Sequence, residues 1–175
     1  LLILAISGSL RQVSSNTTLL RAAIALAPSG VEIRLYDGLN DLPHFNPDLE
    51  GAEPSAVLEF RDRLREADGV LISSPEYAHG VPGVLKNALD WVVGSGELVE
   101  KPVALLNASP RSVYAQAQLT ETLTVMTARI VPEASIAIPL RGNQVDVAGI
   151  LANPEVGPPL QSALAAFAQA IAGGS

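Results

Sequence analysis

The chain of 175 residues contains no cysteine. Disulfides, thiolate metal sites and cysteine nucleophiles are therefore excluded. Histidine is scarce, with two residues, which argues against a histidine-rich metal centre. Aromatic residues make up 4% and charged residues 17% of the chain, while hydrophobic residues reach 48%. Much of the surface is thus expected to be apolar or covered by a partner subunit. Basic residues are outnumbered, 11 Lys and Arg against 18 Asp and Glu, and the formal net charge of −7 argues against a nucleic-acid partner. No apolar run approaches the ~20 residues of a membrane span. Leu1 to Ile6 is apolar, but it lacks a basic flank and runs straight into a polar loop, so it does not read as a signal segment. The first residue is leucine rather than an initiator methionine, which leaves open whether residues precede it. A soluble cytoplasmic protein is the expectation. Familiar catalytic signatures are missing as well. No Gly-x-Ser-x-Gly elbow argues for a hydrolase. Neither the Gly-Lys-[Ser/Thr] of a Walker loop nor the dinucleotide Gly-x-Gly-x-x-Gly occurs.

What is present is an alternation of short apolar runs and amphipathic stretches, without repeats or a break in composition. At this length a single domain, 1–175, is expected, burying roughly 70% of its unfolded surface. Residues 1–6 read as a first strand buried on both faces. Leu20, Ala23, Ile24 and Ala27 then mark a helix that stops at Pro28-Ser29-Gly30. Residues 31–36 alternate and suit an edge strand. Residues 37–51 are irregular. A helix over 54–67 carries Val57, Phe60, Leu64 and Ala67 on one side, and its charges, Glu59, Arg61, Asp62, Arg63, Arg65 and Glu66, read as a solvated face. Residues 69–72 and 102–106 are further buried strands. The segments after them, with stripes Leu85, Ala88, Leu89, Val92 and Leu119, Leu123, Met126, are helices. Residues 130–138 form the fifth strand candidate, with Pro132 near its start. Residues 140–159 read as loop, and a final helix carries Leu160, Leu164, Phe167 and Ile171. Strand and helix alternate five times. That pattern predicts an α/β, doubly wound five-stranded parallel sheet, order 2-1-3-4-5, with helices on both faces. Ligands bind such sheets at the carboxyl ends of the strands, here at the switch between strands one and three.

Two loops meet there. The first, Ser7-Gly8-Ser9-Leu10-Arg11-Gln12-Val13-Ser14-Ser15-Asn16, lies between a strand and a helix. It offers the hydroxyls of Ser9, Ser14 and Ser15, the amide of Asn16 and the Arg11 guanidinium. Unpaired N–H groups at the helix start favour an anion, and Gly8 lets the backbone come close. A phosphate monoester suits this set; an ordinary helix cap is the simpler account of the same serines. The second loop follows the third strand as Ser73-Ser74-Pro75-Glu76-Tyr77-Ala78-His79-Gly80-Val81-Pro82-Gly83-Val84-Leu85-Lys86-Asn87-Ala88-Leu89-Asp90-Trp91, with Pro82 suited to the first turn of the next helix. A third loop, Asn107-Ala108-Ser109-Pro110-Arg111-Ser112-Val113-Tyr114, falls on the same edge.

The wording of these loops resembles the NAD(P)H-dependent FMN reductases, a family that includes quinone, azo-dye and chromate reductases, and the resemblance implies that the doubly wound sheet is flavodoxin-like. Gly8, Ser9, Leu10, Arg11, Ser14 and Asn16 fall in register with its phosphate loop, and Pro75-Glu76-Tyr77 with the later Gly-Val-Pro-Gly-Val-Leu-Lys-Asn-Ala-Leu-Asp-Trp resembles its flavin loop. The resemblance implies bound FMN, NADPH or NADH as co-substrate, and a small-molecule acceptor: a quinone, free flavin, an azo compound or an oxidised metal ion. It implies hydride from NAD(P)H to flavin N5, then reduction of the acceptor. The cofactor-binding residues it points to are Ser9, Arg11, Ser14, Ser15, Asn16, Pro75, Glu76, Tyr77, Ala78, His79, Gly80, Asn107, Ser109 and Arg111. No side chain is assigned a catalytic role and no metal site is expected. Glu76 is expected to contribute its backbone, with the carboxylate turned to the loop or a neighbouring subunit. Tyr77 is expected to pack on the flavin, with core packing as the alternative. His79 either lines the ring pocket or is exposed. Arg111 either meets a nicotinamide-cofactor phosphate or faces solvent. Pro110 and Arg111 stand where many family members have glycine.

A homodimer or homotetramer is expected from the same resemblance. Trp91, off the apolar stripe of its helix, reads as a subunit contact, with packing on the third-loop helix as the alternative. The 42–49 loop reads equally as a subunit or site rim and as a surface loop pinned by prolines. Two other functions remain open at this stage. One is a flavodoxin-type FMN electron carrier that does not oxidise NAD(P)H itself. The other is a non-enzymatic nucleotide or phosphate sensor on the same fold.

Overall fold

A computed structural model of the protein describes residues 1–140 and 146–174. Four strands, β1 (Leu2–Ser7), β2 (Glu32–Tyr36), β3 (Gly69–Ser73) and β4 (Pro102–Asn107), pair in parallel in the order β2-β1-β3-β4. Ser7 stands opposite Ser73 and Ile6 opposite both Ile72 and Tyr36, so the strands end together at one edge. Alternate side chains enter two cores. Leu4, Ile6, Val70, Ile72, Val103 and Leu105 face α2 (Ser55–Glu66), α3 (Gly83–Val93) and α4 (Val113–Val125). Ile3, Ala5, Leu71, Ala104 and Leu106 face α1 (Ser15–Ala25), α5 (Val147–Ala152) and α6 (Gly157–Ala172). Right-handed crossovers require this split: α1 leads outward to β2, and α2 leads back across β1 on the other face. Truncating a fully buried side chain such as Leu64 or Phe167 costs about 2–5 kcal/mol. No helix among the described residues is long and apolar enough to cross a membrane.

The fifth position of the sheet departs from the expected single strand. It is shared by β5 (Arg129–Ile130) and β6 (Ile136–Ala137), both beside β4, with a 3-10 turn at Pro132–Ala134 between them. Pro132 has no N–H to give the ladder. The Ser135 side chain fills the gap: its Oγ accepts from Leu105 N at 3.1 Å and donates to Val131 O at 2.8 Å. The expected 140–159 loop also changes. Residues 141–145 lie outside the described part, and Val147–Ala152 is a short helix whose Asp146 cap accepts from Gly149 N at 2.7 Å. In α1 the buried side is Leu19, Leu20, Ala22 and Ala23, and Ile24 is exposed.

Two expectations about polar and aromatic residues are corrected. Trp91 is fully buried within its own chain. Its Nε1 donates to Pro43 O at 2.7 Å, and its ring meets Phe45 edge-on at 5.1 Å. Asn87 ties the same segment down, donating to Pro43 O and accepting from Phe45 N. The 42–49 stretch is thus a strap folded over α3, held by α3's own side chains. Trp91 is therefore no subunit contact; it is buried inside its own chain, in the core that also holds Leu119 and Leu123 of the third-loop helix. Arg61, read as part of a solvated face, is buried. It pairs with Glu53 at 2.6 Å and donates to Trp91 O at 2.8 Å, answering an orphan carbonyl near the end of α3.

Tyr36, the last residue of β2, packs on Phe60 at 4.9 Å with its hydroxyl buried and unpartnered. Burial, followed by the nearby carboxylates Glu59, Asp41 and Asp37, pushes the phenol up to about 12 from its ordinary 10.0. The native state therefore holds this proton more tightly than the unfolded chain. Its contribution to stability is complete below pH 10 and is lost as pH climbs toward 12. Tyr36→Phe removes an unsatisfied polar atom, so it should stabilise the protein by about 1 kcal/mol. It should also flatten this part of the decline between pH 10 and 12, both read from denaturant unfolding across that range.

Candidate functional site

The strands β1, β3 and β4 each deliver a loop to the same edge. They enclose a cleft of about 420 Å³, within the usual range for small-molecule sites. Its walls include Ser9, Arg11, Ser14, Ser15 and Asn16 from the first loop. Pro75, Glu76 and Tyr77 come from the second, and Ser109 and Arg111 from the third. Ten of the expected cofactor residues are therefore brought together. Ala78, His79, Gly80 and Asn107 are not among the lining residues. The cleft also takes in Ser74, Ala108, Ser112 and Leu140, which the sequence reading did not single out. Ser74 and Ser112 sit inside the recognised loops; Leu140 arrives from beyond β6, and nothing local marks it.

The first loop is built around a close approach. Gly8 N donates to Ser73 O at 2.8 Å, and a Cβ on Gly8 would meet Ser74 Oγ at 2.7 Å and Leu85 Cδ2 at 3.1 Å. Glycine is required here so that β3 and its loop can come close, rather than only to admit a ligand. Ser14 then caps α1 from an extended backbone, its Oγ accepting from Thr17 N at 3.5 Å. The cap and an anion site coexist: the first turn of α1 carries no acid, so its free N–H groups face an uncontested cleft. Asn16 is buried and accepts from Ser73 Oγ at 2.9 Å, so it ties α1 to β3. Arg11 and Arg111 both line the cleft, and no carboxylate pairs with either among the described residues.

Glu76 does something the sequence did not reveal. Its Oε2 accepts from Tyr114 N at 2.8 Å and Ala115 N at 2.9 Å, capping α4 from another loop. α4 has no cap of its own, since Ser112 makes no capping bond. The second and third loops are thereby locked together, and the one acid lining the cleft among the described residues is engaged with helix N–H groups. Val81 N adds a bond to Gln118 Oε1 at 2.9 Å. Beyond Glu76, Tyr77 and Gly80 exchange backbone bonds at 3.1 and 3.0 Å around Ala78 and His79. Those two residues have φ of +49° and +60°, the form of a I′ turn that usually calls for Asn-Gly. Ala-His carries no such signal, and left-handed backbone at these residues costs on the order of 1 kcal/mol or more each. The His79 ring stacks on Tyr114 at 4.2 Å and braces the turn from outside the cleft. Tyr77 is half exposed, which sets aside its core alternative. Asn107 is buried beneath the third loop, where its Oδ1 accepts from Ser109 N at 3.0 Å. It shapes the turn that presents Ser109 and Arg111. Among the described residues no cluster of acids and histidines is suited to a metal ion.

The chain matches the model of a family described as NADPH-dependent FMN reductase over residues 1–142. It is 36% identical over 171 residues to an NAD(P)H-dependent FMN reductase of Pseudomonas aeruginosa, covering 94% of this chain and 92% of that one. An NADPH:quinone oxidoreductase of Arabidopsis thaliana is 44% identical over 109 residues, spanning 59% of this chain and 55% of that protein. Among solved structures, the flavoenzyme NAD(P)H:(acceptor) oxidoreductase of Paracoccus denitrificans superposes with a TM-score of 0.86 at 31% identity, covering 98% and 97% of the two chains.

The Glu76 bridge generates a direct test. Glu76→Ala should lower the unfolding free energy by about 1–2 kcal/mol, because two N–H groups at the start of α4 lose their acceptor. Glu76→Gln keeps one acceptor oxygen and should recover most of that loss in the same denaturant titration. Equal destabilisation by both variants would mean that the charge rather than the cap matters.

Proposed function

The chain belongs to the NADPH-dependent FMN reductase family, and from that premise we propose that the three-loop cleft holds FMN with its phosphate on the first loop and its ring beside Tyr77. The protein is an NAD(P)H-dependent FMN oxidoreductase. Bound FMN supplies the chemistry that side chains lack, accepting hydride from NAD(P)H and passing electrons on. The donors of the cleft fit such a group. Hydroxyls from Ser9, Ser14 and Ser15, the N–H groups opening α1 and the Arg11 guanidinium are concentrated at one end. These groups suit a phosphate monoester, and Arg11 adds the charge-assisted bond. The observation that carries the reading is electrostatic. In an acidic chain, and among the described residues, Arg11 and Arg111 line one cleft without a carboxylate partner, and the one acid in its lining is occupied by α4.

Each loop then has a task. The first binds and orients the phosphate. Glu76, through α4, holds the third loop against the second, so Ser109 and Arg111 close the cleft at a fixed distance from Tyr77. Tyr77 supplies the one aromatic surface among the lining residues. A flavodoxin-type carrier would be expected to sandwich its flavin between aromatics, and a single exposed ring instead leaves one side of the cleft open for donor and acceptor in turn. We take a quinone as the acceptor, supported by relatives named quinone reductases in Pseudomonas putida and Escherichia coli.

The reading extends to a second copy of this chain, covering the rim of the cleft. Leu10, Val13, Tyr77, Val113 and Tyr114 are all more than half exposed there, an apolar set that a second copy would cover. Light scattering of the purified protein should give a dimer or tetramer mass, and Val113→Glu should shift it to monomer; a monomeric wild type would remove this contact.

The reading as a whole is tested by an anaerobic visible spectrum of protein reconstituted with FMN, before and after NADPH and then NADH. Retention of the flavin band through gel filtration and its bleaching by either nucleotide are expected. Arg11→Ala should weaken FMN binding by on the order of tenfold or more in a fluorescence titration. Flavin that stays oxidised with both nucleotides but bleaches with dithionite would leave an electron carrier.

A further inference from the structure

A second crevice opens on the other side of the first loop. Where that loop and the chain after β2 diverge, they enclose about 430 Å³, bordered by Ser9, Arg11, Gln12, Arg21, Asp37 and Asn40 among others. It shares Ser9 and Arg11 with the cofactor cleft, so the two spaces are separated only by the phosphate loop.

Most other cations among the described residues have a partner. Arg34, Arg61, Arg63, Arg65 and Lys86 each pair with a carboxylate. Lys101 and Arg129 are directed at backbone carbonyls. The other described cations, Arg11, Arg21 and Arg111, make no side-chain ion pair among the described residues, and all three line one of these two spaces. Cations without acids, in a chain with acids in excess, point to an anionic ligand. Arg111 belongs to the cofactor cleft. Arg21, on α1, borders the second crevice alone, and Arg11 stands between the two.

The acid in the crevice is also uncommitted. Asp37 follows β2 directly and precedes the 3-10 turn Gly38–Asp41, yet its side chain makes no capping bond. It forms no ion pair among the described residues. A carboxylate at the carboxyl end of the second strand, across from a phosphate-binding loop after the first, is placed to accept hydrogen bonds from the vicinal hydroxyls of a ribose. Asn40, in the turn itself, adds a further amide.

We propose that this crevice binds the ADP half of the nicotinamide donor, with the diphosphate on Arg11 and Arg21 and the adenosine ribose on Asp37. The identity of the ligand as the hydride donor rests on the reductase reading above; the crevice itself does not. The shared Arg11 lets a dinucleotide anchored here extend its nicotinamide end across the phosphate loop toward the cofactor cleft. Asp37 also sets specificity. An unphosphorylated ribose gives it two donors, whereas a 2′-phosphate brings like charge against it, so NADH is the preferred donor.

The test uses ADP as probe in isothermal titration against FMN-loaded protein, in which the cofactor cleft is already filled. ADP should bind, and Arg21→Ala, which lies outside that cleft, should weaken it by on the order of tenfold. Asp37→Asn should weaken ADP and shift the ratio of KM values for NADH and NADPH toward NADPH. Circular dichroism melts of both variants establish that they are folded. Absence of ADP binding, binding only to flavin-free protein, or equal binding by Arg21→Ala would each overturn the proposal. If FMN does not load at all, the reductase reading fails separately. The comparison of wild type with Arg21→Ala in flavin-free protein then still decides whether the crevice takes a diphosphate.

Discussion

The site depends on how closely β1 and β3 can approach at their carboxyl ends. Gly8 donates to Ser73 O with no room for a Cβ against Ser74 and Leu85. Any side chain at that position would push the first loop off the second. The parallel register, with Ser7 opposite Ser73, puts both loops at one height. The Ser73 hydroxyl reaches across to Asn16 and pins the start of α1. From one glycine contact and one buried hydrogen bond the phosphate-binding end of the cleft is assembled, and the helix N–H groups point into it without further adjustment.

The third wall is held differently. Parallel strands fix where β4 ends, but the turn after it has no local reason to stand against the second loop. Glu76 provides one, by capping a helix that begins after β4. The same contact turns the carboxylate of Glu76 onto helix N–H groups at the border of a cleft suited to an anionic ligand. Structure and electrostatics are served by a single carboxylate. The loop that carries it also accepts two left-handed residues, Ala78 and His79, which persist because the bridge between Tyr77 and Gly80 and the stack on Tyr114 over-determine that turn.

Much of the fold was legible because it follows from periodicity. Buried parallel strands are short apolar runs, and α2, α3, α4 and α6 show their core sides at helical spacing. The errors share a cause. Trp91 and Arg61 lie away from the apolar stripes, and a helix considered alone makes such positions exposed. In the folded chain the strap at 42–49 covers Trp91, and Arg61 reaches the end of α3. The fifth strand was misread because the sequence shows apolar residues on both sides of Pro132 but not that Ser135 stands in for the missing ladder bonds. The short helix α5 was missed because six residues carry too little periodicity and its Asp146 cap lies beside a polar stretch. Of the expected site residues, ten from the loops after β1, β3 and β4 line the cleft, while Ala78, His79 and Gly80 of the second loop and Asn107 at the end of β4 support it from outside its lining.

Sequence alone determined the family, the order of the strands and the edge at which the loops meet. Those follow from local patterns: runs of apolar residues, proline and glycine punctuation, and two long motifs that read the same in any context. Tertiary structure decided which polar groups are free. Whether an arginine faces a carboxylate, a carbonyl or an open cleft depends on residues tens of positions away, as Arg61, Arg129 and Arg11 each illustrate. A charge has no partner in a sequence; it acquires one, or is left for a ligand, only when the chain has closed around it.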